Sequence, residues 1–169
     1  MRYLIAILIV LVISIVAMVL IGAILPKHHV ATRTAEFAVP PDRIFALIAG
    51  PQDWRTDLKE YKFFDEGGRH FERETDSHGQ RITYEITQSQ PPVFLKRTIA
   101  DKNLPFGGSW TWNIQPTSEG CSVTITEDGE VYNPVFRFVS TVLIGHTRTI
   151  NNYLKMLQSA AGKPPAWAR

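Results

Sequence analysis

The chain has very little cysteine and, beyond its first residues, no excess of either charge. Cys121 is the only cysteine among 169 residues, so no intramolecular disulfide can form. Residues 1–29 contain Arg2 and Lys27 but no acid, and the remainder balances 16 basic against 16 acidic residues. Because nucleic-acid-binding domains usually carry a basic patch or run, this balance predicts that the chain does not bind nucleic acid.

The sequence also lacks the short motifs that indicate nucleotide, metal or acyl-transfer chemistry. It contains no P-loop, no dinucleotide-binding glycine loop, no HExxH zinc motif and no GxSxG nucleophile elbow. His28 and His29 adjoin each other without further ligands at zinc spacing, and the lone Cys121 is typical of a small core residue. We therefore predict no metal site and no cofactor.

Charge is absent from one long, almost entirely apolar segment, which runs from Tyr3 to Leu25. As a helix rising about 1.5 Å per residue it would measure about 34 Å, enough to cross a hydrocarbon core of about 30 Å. A cleaved signal peptide is the alternative, but such peptides have a shorter apolar core and a small-residue cleavage site. We predict an uncleaved, single-pass transmembrane anchor that ends before Pro26.

The charged residues beside this segment predict its orientation in the membrane, and the segment divides the chain into parts. Lys27 and Arg33 follow it whereas Arg2 alone precedes it, so the positive-inside rule favours a cytoplasmic C-terminal domain. We predict three parts: an anchor with a short linker (1–29), a folded domain (30–162) and a flexible tail (163–169).

Alternating polar and apolar residues predict an antiparallel sheet. A first strand begins near Val30 and ends before Pro40, and six further runs follow at hairpin spacing. These runs cover 59–66, 69–76, 81–89, 94–102, 107–114 and 121–127. Two short helices are predicted between the first strand and the second, over 43–49 and 51–58.

The last segment predicts one long amphipathic helix. Asn133 is a suitable N-cap, with Pro134 at the first helical position. From Val135 to about Ala161, apolar residues recur with the period of one helix face. This is the only predicted element large enough to cover the apolar face of the sheet. We therefore predict an α+β helix-grip fold, a curved antiparallel sheet wrapped around the C-terminal helix.

Four stretches of the domain carry a family resemblance: VPPDRIFALIAGPQDWRTDL, PPVFLKRTIA, GGSWTWNIQPTSEGCSVTITEDGEV and NPVFRFV. In order and spacing they resemble the SRPBCC superfamily, the START-like, Bet v 1-like and polyketide cyclase/dehydrase group. The resemblance implies a helix-grip fold with a cavity for an apolar or amphipathic ligand. It does not imply one activity, because the superfamily includes lipid carriers, hormone receptors and cyclases.

Two residues are candidates for acid–base chemistry. His146 lies near the centre of the apolar stripe of the last helix, and Glu127 shares a strand face with Cys121, Val123 and Ile125. If both side chains reach one cavity, they form the minimum pair for general acid–base catalysis. The alternatives are a histidine that only packs in the core and a solvated glutamate at the end of its strand.

Large apolar side chains on the predicted inner faces would line the cavity, or simply form the core. The predicted cavity residues are Phe45, Tyr84, Trp110, Trp112, Val123, Ile125, Val142, His146 and Ile150. Three functions remain open: a membrane-anchored module that binds a hydrophobic small molecule or lipid, a cyclase or dehydrase that uses His146 and Glu127, and a non-catalytic interaction module with a collapsed cavity. The missing catalytic motif disfavours the second, and nothing in the sequence strongly separates the first from the third.

Overall fold

Seven strands form one antiparallel sheet in the computed structural model, which describes residues 2–162. The strands are β1 His28–Phe37, β2 Leu58–Glu66, β3 Arg69–Asp76, β4 Arg81–Gln90, β5 Phe94–Ile99, β6 Phe106–Thr117 and β7 Gly120–Val131. Strands β2 to β7 follow one another as neighbours, and β1 pairs with β7 at the opposite edge from β2. The predicted sheet is confirmed, and β7 extends four residues beyond Glu127, so this glutamate does not lie at a strand end.

Within residues 2–162, four helices and one π-helical turn accompany the sheet. They are α1 Arg2–Ile24, α2 Pro41–Ala49, α3 Pro134–Phe138, the π-helical turn Val139–Ile144 and α4 Arg148–Ala161. Helix α4 buries Ile150, Tyr153, Leu154 and Leu157 against the inner face of the sheet. That face contributes Leu95, Trp112, Ile114, Val123 and Ile125 to the same core. The helix-grip arrangement is therefore confirmed.

The predicted second short helix is wrong, because residues 51–57 form turns. The chain leaves α2 at Gly50 in an extended conformation, and Gln52 then folds back. The buried Gln52 amide donates to the carbonyl oxygens of Leu47, Ile48 and Gly50 at 2.9–3.1 Å. These carbonyls at the end of α2 lack helical partners, and the Gln52 side chain supplies the missing donors. The chain therefore folds back over the end of α2 at the place where the second helix was predicted.

The predicted single C-terminal helix is interrupted. Gly145 has φ 79° and ψ 141°, a conformation that favours glycine, and its N–H donates to the Ser140 carbonyl, five residues earlier, at 2.9 Å. The π-helical turn takes more residues per turn than an α-helix, which shifts the apolar stripe. Val142 therefore leaves the inner face, and its side chain is 54% exposed. The predicted N-cap at Asn133 does form, accepting hydrogen bonds from the N–H groups of Val135 and Phe136.

The last turn of α1 packs against α3. Gly22 contacts Pro134 so closely that any side chain at position 22 would overlap the Pro134 backbone. Arg137, only 3% exposed, donates to the carbonyl oxygens of Gly22, Ala23, Leu25, Val131 and Tyr132. Because the final carbonyls of a helix lack partners and carry partial negative charge, this guanidinium caps α1.

Helix α1 is otherwise exposed along its length, and three residues separate it from β1. Within residues 2–162 it is the one helix with the length and apolar character needed to cross a membrane. The predicted tail, 163–169, lies outside the described residues.

Candidate functional site: a two-armed cavity

Two adjoining cavities lie between the sheet and the C-terminal helical segment. The larger, about 960 Å³, is the charged arm, lined in part by Arg55, Asp57, Glu74 and Arg97. The smaller, about 300 Å³, is the histidine arm, a mostly apolar pocket that contains His29, Glu127 and His146. Both arms are lined by Tyr84, Trp110, Ile144 and Thr149. Volumes of about 300–1,000 Å³ are typical of small-molecule sites.

Aromatic rings form the wall on which the two arms meet. Trp110 and Trp112 alternate along β6 and point to the inner face, with ring centroids 5.9 Å apart. Tyr153 of α4 packs 6.2 Å from the first and 5.8 Å from the second. The period of two in β6 and the inward face of α4 bring these rings together. They give the cavity a rigid apolar surface.

The predicted cavity residues and the acid–base candidate Glu127 separate into three groups. Tyr84, Trp110, Trp112, Glu127 and His146 line the arms. Phe45, Val123, Ile125 and Ile150 are packed into the core of the domain. Val142 points to the exterior, because the π-helical turn shifts it away from the inner face.

His29 lines the cavity, although in the sequence it stands out only as a histidine next to His28 without further ligands at zinc spacing. It precedes Ala31 by two positions and therefore shares its inward face, a signal that the alternation of β1 contained. Across the sheet it pairs with Gly129, and a side chain there would overlap the imidazole ring. The glycine thus leaves room for the ring to turn toward Glu127.

Glu127, His29 and His146 form a contiguous cluster. His29 Nε2 lies 3.6 Å from Glu127 Oε1, and the His29 and His146 rings stack with centroids 3.7 Å apart. His146 Nε2 is 3.3 Å from the Thr141 hydroxyl. Within the described residues, His29 Nε2 and Glu127 Oε2 are buried without a hydrogen-bond partner. Because buried polar atoms are usually paired, these two atoms have hydrogen-bonding capacity that the described residues do not use.

The surroundings of the cluster favour the uncharged form of each of its three ionisable groups. Burial raises the pKa of Glu127 to about 7. Burial, with smaller contributions from His146 and His28, lowers the pKa of His29 to about 4 against the opposing effect of Asp128. Burial also lowers the pKa of His146. Near neutral pH both imidazoles are thus uncharged, and the Glu127 carboxyl can either donate or accept a proton.

The charged arm is organised as a chain of ion pairs. Arg55 binds both carboxylate oxygens of Asp57, at 2.6 and 3.1 Å, and reaches Glu74 at 2.7 Å. Arg97 lies 2.9 Å from the fully buried Glu72, as an ion pair rather than a well-aligned hydrogen bond, and 3.9 Å from Glu74. Each guanidinium here already has carboxylate partners.

The same two arginines are fixed further by aromatic rings and backbone. The Arg97 guanidinium lies 4.9 Å from the Trp112 ring centroid and donates to the Ile48 carbonyl, and that of Arg55 lies 5.3 Å from the Tyr153 ring. Arg97 shares the inward face of β5 with Leu95, so its burial follows from the strand period. These contacts hold α2, β5 and α4 around the cavity. Among residues 2–162, no three His, Cys, Asp or Glu side chains group as metal ligands.

The fold and the cavity define a helix-grip protein built around a site of small-molecule size. The family model described as "Polyketide cyclase / dehydrase and lipid transport" matches residues 28–158, and the chain belongs to this family, in agreement with the SRPBCC resemblance. No curated protein matches the chain.

Solved structures resemble the chain at low sequence identity. Norcoclaurine synthase from Thalictrum flavum, in complex with dopamine and hydroxybenzaldehyde, is 14% identical, with a TM-score of 0.60 over 82% of this chain and 90% of that one. Its truncated form is 13% identical, with a TM-score of 0.63 over 82% and 96%. A Mesorhizobium loti protein is 15% identical, with a TM-score of 0.59 over 78% and 95%. At these identities the likeness shows the fold alone.

Proposed function

We propose that this chain is a membrane-anchored helix-grip protein that binds a hydrophobic small molecule or lipid in the two-armed cavity. The observation that carries the proposal is the open histidine arm, a mostly apolar pocket of about 300 Å³ with unpartnered polar atoms at Glu127 and His29. Such a site matches an amphipathic ligand, whose apolar body fills the pocket while one polar group meets the cluster. The family's description, which includes lipid transport, supports this ligand class.

The junction between α1 and α3 supports an anchor that is retained. Cleavage near Gly22 would remove carbonyl oxygens that cap the buried Arg137 guanidinium. A buried charge that loses its partners is costly, so the folded domain is built to keep α1. The length and apolar character of α1 support a single crossing of the bilayer. The intact mass of the chain recovered from membranes tests this point, because cleavage would remove residues 1 to about 23.

Ligand binding is tested on the full chain extracted in detergent from the producing cells. Native mass spectrometry followed by solvent extraction would detect a co-purifying apolar molecule. In Thr149→Trp, a large ring would fill the space where the two arms of the cavity meet. Gln158→Trp, on the exposed opposite side of α4, is the matched control. We expect the ligand to be lost in the first variant and retained in the second; a chain without ligand, or equal retention in both variants, contradicts the proposal.

A second candidate function is a cyclase- or dehydrase-type enzyme. The observation that favours it is the Glu127 carboxyl, which has a pKa of about 7 and lies 3.6 Å from His29 inside the cavity. A general acid–base group works best when its pKa is close to the working pH. In Glu127→Gln an enzyme would retain an unreacted precursor that differs in mass or structure from the molecule held by the wild type. Identical molecules in both proteins would leave only the binding function.

The third candidate, an interaction module with a collapsed cavity, receives no support from this geometry. Both arms are open, and together they occupy the region between sheet and helix that such a module would fill with side chains. We therefore give the binding function precedence over it.

A further inference from the structure

An apolar surface lies on the segment that joins the sheet to α4. This junction segment, residues 134–144, comprises α3 and the π-helical turn. Five of its large apolar side chains are exposed: Val135, Phe136, Val142, Leu143 and Ile144, with Leu143 at 67%. Contiguous apolar patches are uncommon on soluble surfaces and mark contacts with proteins, ligands or membranes.

The junction segment is fixed to the end of the proposed anchor. Pro134 packs on Gly22, and Arg137 caps the last carbonyls of α1. A helix of this length that crosses the bilayer ends at the interface between hydrocarbon and headgroups. The exposed apolar side chains of the junction segment are therefore held at that depth. Their position relative to α1 identifies the bilayer, rather than a protein, as the surface that covers them.

The charge of the chain around this segment suits anionic lipid. Glu130 is the last acidic residue in the sequence, and residues 131–169 contain no acid and four basic residues besides the buried Arg137. Arg148, the first residue of α4, is exposed directly after the segment. Basic residues next to a membrane are attracted to anionic headgroups, at about 1 kcal/mol each.

The same segment also forms a wall of the histidine arm. Phe136, Ser140 and Ile144 line that pocket together with Gly145. Ile144 is half exposed and also lines the charged arm. One short segment thus separates the apolar pocket from the face next to the anchor, and its π-helical hydrogen bonding is followed by a glycine at positive φ.

From these observations we propose that the junction segment is seated in the bilayer interface and forms the port through which a lipid-chain ligand enters the histidine arm directly from the membrane. The proposal rests on the proposed binding function and anchor. It adds the route of entry, from hydrocarbon to pocket without passage through water. It also assigns Phe136, Leu143 and Ile144 to that route.

The location of the junction segment in the bilayer interface is tested with a polarity-sensitive fluorophore attached to an introduced cysteine. The full chain is reconstituted in nanodiscs of phosphatidylcholine and phosphatidylglycerol, and Leu143→Cys is compared with Phe63→Cys, an exposed apolar position on β2. The parent chain, whose Cys121 is fully buried, controls for background labelling. We expect blue-shifted emission and quenching by spin-labelled lipid at position 143 only. Equal emission from the two positions would overturn the proposal that the junction segment lies in the bilayer interface.

The port is tested by the rate at which a photoreactive fatty acid, carrying a diazirine on its chain, is captured by peptides of β6. Leu143→Asp places a charge in the interface and leaves the core untouched, and Phe63→Asp is its control. When the probe is supplied from the nanodisc, we expect capture to slow about tenfold in Leu143→Asp and to stay unchanged in Phe63→Asp. When the probe is supplied to the protein in detergent, both variants should match the wild type.

The outcomes separate this proposal from the function on which it rests. Equal capture rates from nanodiscs in all proteins, with normal labelling of β6, would overturn the port while the binding function stands. Absence of capture on β6 under both modes of supply, in the wild type as well, would overturn the binding function and the port together. In that case the fluorophore at position 143 still decides whether the segment contacts lipid.

Discussion

The two arms of the cavity differ in how closely their ionisable groups are paired. In the charged arm, Arg55 and Arg97 have carboxylate oxygens within 3 Å. In the histidine arm, the closest approach of Glu127 to His29 is 3.6 Å, longer than the shortest ion-pair distance of either arginine. The larger arm, with more charge, is therefore the one whose groups are committed to the fold. The smaller arm retains the groups that can respond to a ligand.

The largest effect is expected from Arg97→Met, which removes a cation from the charged arm. Glu72 is fully buried and would lose its counter-charge. Leaving one partner of a buried ion pair uncompensated costs about 3–5 kcal/mol. We expect the free energy of unfolding of the full chain in detergent to fall by about that amount, measured by urea titration with tryptophan fluorescence. Arg81→Met, at an exposed position of β4, should change it by less than about 0.5 kcal/mol.

A double substitution separates the lost pair from lost packing. Arg97→Met combined with Glu72→Leu removes both charges, so no buried carboxylate remains unpaired, and most of the stability should return. If Arg97→Met alone costs less than about 1 kcal/mol, the charged arm does not have the structural role that distinguishes it from the histidine arm.

The next effect concerns the pH dependence contributed by Glu127. Burial raises its pKa from 4.5 to about 7, so the folded chain binds this proton more tightly than the unfolded chain. The resulting stabilisation is complete below about pH 4.5 and is lost as the pH rises to about 7. At about 1.36 kcal/mol per pKa unit, the wild type should lose up to about 3 kcal/mol relative to Glu127→Gln over this range.

Urea titrations at a series of pH values measure this difference. Glu119→Gln changes the charge by the same amount at an exposed position and controls for general charge effects. A difference between the wild type and Glu127→Gln that stays constant with pH would mean that Glu127 is solvated. The histidine arm would then lack its acid–base group.

A smaller effect is expected at the break before α4. Gly145 has φ 79°, so Gly145→Ala should cost about 1–2 kcal/mol through backbone strain. Gly162→Ala is the matched control, because Gly162 has φ −71° and accepts alanine without strain. Thermal unfolding of the two variants makes the comparison. A neutral Gly145→Ala would show that the chain can bring His146 beside His29 without this conformation.

The sequence was most informative where a single period governs the backbone. All seven strands were predicted, because alternation and glycine turns such as Gly67-Gly68 are local properties. Tyr84, Trp110 and Trp112 could be placed toward the inside by the same rule. The family resemblance added the cavity between sheet and helix.

The histidine arm depends on features that no single period contains. The apolar pattern from Val135 to Leu157 predicts one helix that continues across Gly145. In the structure, the π-helical turn before Gly145 moves Val142 out of this apolar face. The closeness of His29 to Glu127 depends on the pairing of β1 with β7, which are far apart in the sequence. The capping of α1 by Arg137 depends on contacts across more than 110 residues.

The smallest effect is expected from His29→Gln, and it tests the comparison most directly. Burial, together with His146 and His28 and against Asp128, lowers the pKa of His29 from 6.5 to about 4. The folded chain therefore resists this proton, and stability is lost as the pH falls from about 6.5 to about 4. This trend is opposite to that of Glu127.

Removing the imidazole should make the chain more stable relative to the wild type at about pH 4.5 than at about pH 7. The difference should be about 1 kcal/mol or less, because β1 is an edge strand and solvent screens the charge. His70→Gln, at an exposed histidine paired with Asp65, is the control. If His29→Gln and Glu127→Gln instead showed the same trend with pH, the two groups would titrate as one ion pair. The ionisable groups of the histidine arm would then be paired with each other, as those of the charged arm are, and they would not be free for a ligand.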